Sequence, residues 1–226
     1  MDFLSHATFR LENEHRERKM SVLLDLSVDN DDVLVGFNRR FIPYMNTVTG
    51  ENLTYDEFHS FDFGVMYPDI PQKEMFQHVV NFVHTLHDTI EPEEGAVEGM
   101  YALREIFRTH LNTSRCESTR DITADLLSQH KFARLDSYNF TNSVSLLPHV
   151  EKRKKSDICK LVGAVAHIED AAHHANEVTL TLGIPVVMPL RPWNREEEIA
   201  PGVIPSQSWE HTVDILGEIA EKLLHP

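Results

Sequence analysis

Apolar positions along the chain follow two different rhythms. The run Val22-Leu23-Leu24-Asp25-Leu26-Ser27-Val28 is apolar except at Asp25 and Ser27, and it reads as a short strand in a sheet interior. From Gly36 to about Phe107 the pattern turns helical. Phe37, Phe41, Tyr44 and Met45 fall on one helical face, and Phe76, Val79, Val80, Phe82, Val83 and Leu86 continue the period. Thr54 with Glu57 three residues on fits a capping box, and Pro68, Pro71 and Pro92 interrupt the pattern. This block lacks strand alternation. It predicts a small helical lobe inserted after the first strand, with its Phe and Tyr residues as the lobe's core.

Beyond about residue 100, helices and strands alternate. Helices are expected over Glu98–Phe107, Glu117–His130, Ser156–Val162 and Ala171–Thr179, and in a last segment carrying Trp209, Val213, Leu216, Ala220 and Leu223 on one face. Short strands are expected over 109–115, Leu135–Phe140, Ala164–Ile168 and Pro185–Met188. Such alternation predicts an α/β fold, a Rossmann-like parallel sheet with helices on both faces. The division that follows is an N-terminal arm at 1–20, a core at 21–35 and 106–226, and a helical cap at 36–105.

Composition narrows the partners. The 226 residues are 41% hydrophobic and 25% charged, as in an ordinary folded domain. A formal net charge of −15 repels a nucleic-acid polymer, and the basic run Lys152-Arg153-Lys154-Lys155 is long enough only for a small anion or a solvated turn. No run of about 18 apolar residues could span a membrane. The first 20 residues lack the apolar core of a secretion signal. Two cysteines, Cys116 and Cys159, exclude a disulfide framework and a thiolate metal site, so a reducing, cytoplasmic setting is expected. Cys116 reads as a packed thiol and Trp193 as a loop anchor. Neighbouring histidines on a helix point apart, so His173 and His174 do not predict a metal site.

The candidate chemistry starts at Asp29-Asn30-Asp31-Asp32, just past the first strand. Crowded acids are relieved by a hard divalent cation, yet an Asp/Asn-rich turn explains them equally. Ligands in parallel sheets bind beyond the carboxyl ends of the strands. Asp29, Asp31, Thr113, Ser114, Glu169 and Asp170 all fall at such ends. Asp29 and Asp170 could then share Mg2+, while Thr113 and Lys155 bind the oxygens of an anion, with Lys155 next to a helix start. Together these parts could hold a phosphoryl group against a carboxylate nucleophile.

The order Asp29-x-Asp31-x-Val33-Leu34, then Leu111-Asn112-Thr113-Ser114-Arg115, then Lys155, then Ile168-Glu169-Asp170 resembles the four motifs of the haloacid dehalogenase superfamily. The inserted lobe is similar to its first type of cap. Val33-Leu34, Phe37, Thr113-Ser114 and Pro192-Trp193-Asn194 are most similar to its 5'-nucleotidase and 5'(3')-deoxyribonucleotidase branch. The resemblance implies a phosphohydrolase acting on a small phosphorylated metabolite. Asp29 would form an aspartyl-phosphate, and Asp31 would protonate the leaving oxygen and then activate water. Thr113, Ser114 and Lys155 would bind phosphate. Mg2+ would be held by Asp29, the main-chain carbonyl of Asp31 and Asp170, with Glu169 reaching the ion through water or orienting Lys155. The assembly would be a monomer or homodimer.

This chain departs from the pattern at several positions. Asp32 stands where Gly is usual, Asn112 where an apolar residue is expected, Glu169 where Asp is common, and Gly36 where an acid is frequent. Asp32, Asn112 and Glu169 motivate the alternative of a catalytically weak or inactive binding or regulatory protein on the same fold. A third idea, carbon–phosphorus cleavage through a Schiff base, would need Lys73, the lobe's only lysine.

Overall fold

The computed structural model describes residues 23–145 and 149–225, so the arm expected at 1–20 lies outside the described residues. Six strands form one sheet: β1 (Leu24–Val28), β2 (Phe107–Thr113), β3 (Ser137–Phe140), β4 (Ala166–Ile168), β5 (Val186–Pro189) and β6 (Val203–Ser206). Their order is β3-β2-β1-β4-β5-β6 and every pairing is parallel. The fold expected from the alternation is therefore the fold observed. β1 sits between β2 and β4, with Val28 level with Leu111 on one side and Ile168 on the other. All three side chains are fully buried, which is why β1 reads as a nearly continuous apolar run.

The lobe begins with α1 (Phe37–Thr49), followed by α2 (Phe63–Met66) and α3 (Gln72–Leu86). α1 buries Phe37, Phe41, Ile42 and Met45, and Gly50 ends it in the left-handed conformation at φ 77°. Phe41 meets Phe82 of α3 at 5.4 Å between ring centres, edge to face, and Phe37 meets Phe82 at 5.3 Å. The lobe's aromatic residues thus make its core. At Thr54 half of the expected capping box forms and no helix follows. Glu57 accepts from the Thr54 amide at 2.9 Å and from its hydroxyl at 2.7 Å, closing a turn. The residues after it lack an apolar helical period to propagate.

The chain enters and leaves the lobe side by side. Gly36 N donates to Glu91 O and Glu93 N donates to Leu34 O, both at 2.9 Å. Next comes α4 (Ala96–Leu103), which packs on α8 (Trp209–Leu224). A Cβ at Gly99 would stand 2.5 Å from the Trp209 ring, so the two helices close only on a glycine. The span assigned to the cap from sequence includes this core-packed helix. The remaining helices, α5 (Arg120–Gln129), α6 (Lys155–Val162) and α7 (Ala172–Leu182), link the strands. β6, which contains Pro205, has no counterpart in the sequence reading. It lies at the sheet edge, where a residue without an N–H is tolerated. Among the described residues, no helix is long and apolar enough to cross a membrane.

Candidate active site

Two strand ends bring the acids together. β1 delivers Asp29, and β4 delivers Glu169 and Asp170. Their carboxylate oxygens lie within 4.8 Å of one another and all three are buried. Lys155, the first residue of α6, projects its ammonium into the same place and is 1% exposed. It donates to Asp29 Oδ1 at 2.6 Å and to the main-chain oxygen of Asn112 at 2.6 Å, and lies 3.1 Å from Glu169 Oε2. These contacts use the three protons an ammonium offers.

Asn112 is the polar residue that the sequence could not explain on an interior strand. Its amide nitrogen donates to Lys155 O at 3.0 Å and to Ser27 Oγ at 3.1 Å. It therefore ties the start of α6 to β1 and β2 beneath the ammonium. His167 supports Glu169 from below, with Nε2 3.4 Å from Oε2, while Ala171 N donates to Glu169 Oε1 at 3.1 Å. Both oxygens of Glu169 are thus committed to the protein, which favours orienting Lys155 over binding an ion. Asp170 accepts from the Trp193 indole N–H at 2.9 Å, and Asn194 Nδ2 donates to the Asp170 main-chain oxygen at 2.8 Å. The loop anchor expected at Trp193 therefore also aims a site carboxylate.

Electrostatics follow from this burial. Desolvation pushes the Asp29 carboxyl up to about 7 against the pull of Lys155, and burial with Glu169 close by holds Asp170 well above the usual carboxylate range. For Glu169, burial is outweighed by the Lys155 ammonium and His167, which keep it well below that range. Burial also opposes the charge on Lys155, but Asp29 and Glu169 raise it above the ordinary lysine value. One ammonium faces three carboxylates, so with all three ionised the cluster would carry surplus negative charge. A compact, all-oxygen, buried donor set with surplus charge suits a small hard dication such as Mg2+.

The other expected site residues divide. Thr113 is buried, and its hydroxyl accepts from Arg115 N at 3.2 Å. Ser114 is partly exposed and lines a cavity of about 680 Å3 between the lobe and the core. Asp31 lies apart from the Lys155 cluster in its contacts. Arg115 donates to it from Nε at 2.9 Å and from Nη2 at 2.7 Å, and Asn30 Nδ2 adds a bond at 3.0 Å. Arg115 is in turn fixed by Thr123 Oγ1 at 3.0 Å. The sequence reading quoted Arg115 without giving it a role. Only an acid paired with a buried, intrinsically charged residue could have signalled it.

Asp32 has φ 57°, in the left-handed region that favours glycine. Its Oδ1 accepts from Asn38 N at 2.9 Å, satisfying an amide in the first turn of α1. It is buried, and desolvation with Glu93 nearby raises its carboxyl well above the usual range. Lys73 is exposed on the first turn of α3 and does not line the cavity, so the Schiff-base idea finds no support.

No protein-family model matches the sequence, and no curated protein matches it. Solved structures do resemble it. A predicted phosphatase from Clostridium acetobutylicum superposes with a TM-score of 0.60 at 12% identity, covering 90% of this chain and 100% of that one. A haloacid dehalogenase-family hydrolase from Deinococcus radiodurans, with bound phosphate and sodium, gives 0.56 at 16% identity over 90% and 98%. A predicted phosphoglycolate phosphatase from Haemophilus somnus gives 0.56 at 15% identity over 88% and 99%. At these identities the likeness is one of fold, a haloacid dehalogenase-like α/β core.

Proposed function

We propose that this chain, built on a haloacid dehalogenase-like fold, is a Mg2+-dependent phosphohydrolase of small phosphorylated metabolites. The observation that carries the reading is the cluster itself: Asp29 and Asp170, from different strands, with oxygens within 4.8 Å, beside a buried Lys155. The fold supports it, since ligands in such sheets sit beyond the strand ends where these residues lie.

In this reading an oxygen of Asp29 attacks phosphorus. The bond from phosphorus to the leaving oxygen breaks, its electron pair stays on that oxygen, and the oxygen takes a proton from Asp31. Water then gives a proton to Asp31 and attacks phosphorus. The bond to Asp29 breaks, phosphate leaves and the carboxylate is restored. Mg2+, held by Asp29, Asp170 and the main-chain carbonyl of Asp31, would draw charge from the phosphoryl oxygens. Lys155 offsets the charge on Asp29 and keeps it aligned, and Thr113 and Ser114 offer hydroxyls to the phosphate. Glu169 acts by holding Lys155. Asp31 reaches the leaving oxygen by giving up part of its grip on Arg115, whose guanidinium is then free for a phosphate oxygen.

A nucleoside monophosphate is the finer candidate substrate, on the sequence resemblance to 5'-nucleotidases. The reading places the protein in the cytoplasm, as a monomer or homodimer. One observation favours the alternative of a phosphate-binding protein without turnover: both oxygens of Asp31 are engaged by Arg115. A generic phosphomonoester assay with Mg2+ separates the two. Phosphate release by the wild type and its loss in Asp29→Asn supports the enzyme, and equal release by both contradicts it.

A further inference from the structure

On the reading of Asp29 as a phosphorus nucleophile, we propose that the leaving group accepted here is an uncharged group bearing a planar ring. Substrates whose leaving group carries a second anionic charge are turned away. The inference comes from the cavity between the lobe and the core.

The cavity adjoins the chemistry. Its lining includes Ser114, next to Thr113, and Trp193, whose indole N–H bonds Asp170. Its volume of about 680 Å3 is far more than a two- or three-carbon acid fills, and falls in the range that encloses organic molecules of several rings.

Rings dominate the walls. Phe61, Phe63 and Phe76 come from the lobe, and His173 and His174 from the first turn of α7. Phe61 lies 5.0 Å from His173 between ring centres, and His173 lies 4.0 Å from His174. A planar ligand entering this cluster gains offset or edge contacts that an aliphatic polyol cannot make. Each uncharged imidazole also brings one donor and one acceptor.

Charge supplies the exclusion. Among the described residues, no lysine or arginine lines the cavity, whereas the carboxylates of Asp62 and Glu197 do. A substrate carboxylate or second phosphate would leave water, meet like charge and find no cation. The Haemophilus somnus neighbour, a predicted phosphoglycolate phosphatase, is described by a substrate of the kind this cavity disfavours.

Two phosphonates test the inference without turnover, because attack by Asp29 does not release their carbon-bound group. Benzylphosphonate carries a ring and phosphonoacetate carries a carboxylate. Calorimetry of the full chain with Mg2+ should show benzylphosphonate bound at least about tenfold more tightly. Phe61→Ala, at an exposed position, should weaken benzylphosphonate by about three- to tenfold and leave phosphonoacetate unchanged. Glu197→Lys should strengthen phosphonoacetate several-fold. Equal affinities in the wild type, or a preference for phosphonoacetate, overturn the inference even if ester hydrolysis is found. So does binding of inorganic phosphate with neither phosphonate bound. Failure of phosphate itself to bind, with no ester cleaved, instead sinks the phosphohydrolase reading on which the inference stands.

Discussion

Arg115 grips Asp31 with both ends of one side of its guanidinium, at 2.9 Å and 2.7 Å. The arginine is 4% exposed and the aspartate side chain 25%, so the pair sits at the mouth of the site with its cation inside. A carboxylate held by two such donors stays in one rotamer. Before substrate binds, that sets the position from which the proposed proton carrier turns to the leaving oxygen as it gives up part of this grip. Replacing Arg115 by Lys keeps the charge and loses the fork. We expect kcat/KM for an alkyl phosphomonoester, whose leaving oxygen needs a proton, to fall by at least about tenfold. For p-nitrophenyl phosphate, whose leaving group departs without one, the fall should be much smaller. An equal loss on both substrates would mean that Arg115 serves only the fold.

Lys155→Met removes the ammonium that bonds Asp29 and lies 3.1 Å from Glu169 in the cluster of three buried carboxylates. Unfolding free energy should drop by about 3–5 kcal/mol at neutral pH, the usual result of breaking a buried pair from one side. The drop should be smaller at pH 5 than at pH 8, because carboxylates without their cation take up protons instead. Urea unfolding at the two pH values measures it. A pH-independent loss would contradict the charge balance described for the cluster.

Asp32 combines a left-handed backbone with a bond to Asn38 N. Asn keeps both features without a buried charge, and its folding stability should match or exceed that of the wild type at pH 8. Ala loses the bond and strains the backbone, at a cost of about 1–3 kcal/mol. Thermal melts of the two variants decide the matter. A loss in Asp32→Asn as large as in Asp32→Ala would mean that the carboxylate charge itself is required.

His174 gives a pH signature. Desolvation lowers its folded pKa to about 4, below the ordinary histidine value of 6.5. Between these values the unfolded chain binds a proton that the folded chain does not, so stability falls as pH drops through that window. Relative to His174→Gln, the wild type should lose at most about 3 kcal/mol between pH 7 and pH 4. Parallel stability curves for the two proteins would contradict the desolvated ring.

The parallel sheet was legible because short strands alternate with helices beyond about residue 100, and because the nearly continuous apolar run of β1 reflects burial on both faces. Asp29, Asp170 and Lys155 were legible because strand ends and a helix start mark them locally, and the structure brings the three together. Asp31, quoted beside them, makes its contacts elsewhere, with Arg115. The roles of Arg115 and Asn112 were not legible, since their partners lie 84 and 43 positions away and nothing near either residue announces the pairing. Asp32 looked like a third crowded acid, because backbone φ leaves no mark in an Asp-rich turn. β6 was hidden by Pro205 and its edge position. The cavity depends on how lobe and core meet, which helical periodicity does not encode.

The central claim is that Asp29 bonds covalently to phosphorus. Quenching the protein in acid during turnover of a phosphomonoester with Mg2+, then reducing with borohydride, converts an aspartyl-phosphate to homoserine. Peptide mass spectrometry should find homoserine at position 29 in the wild type and none in Asp29→Asn. Phosphate release without homoserine at position 29, or with it at another aspartate, would contradict the account.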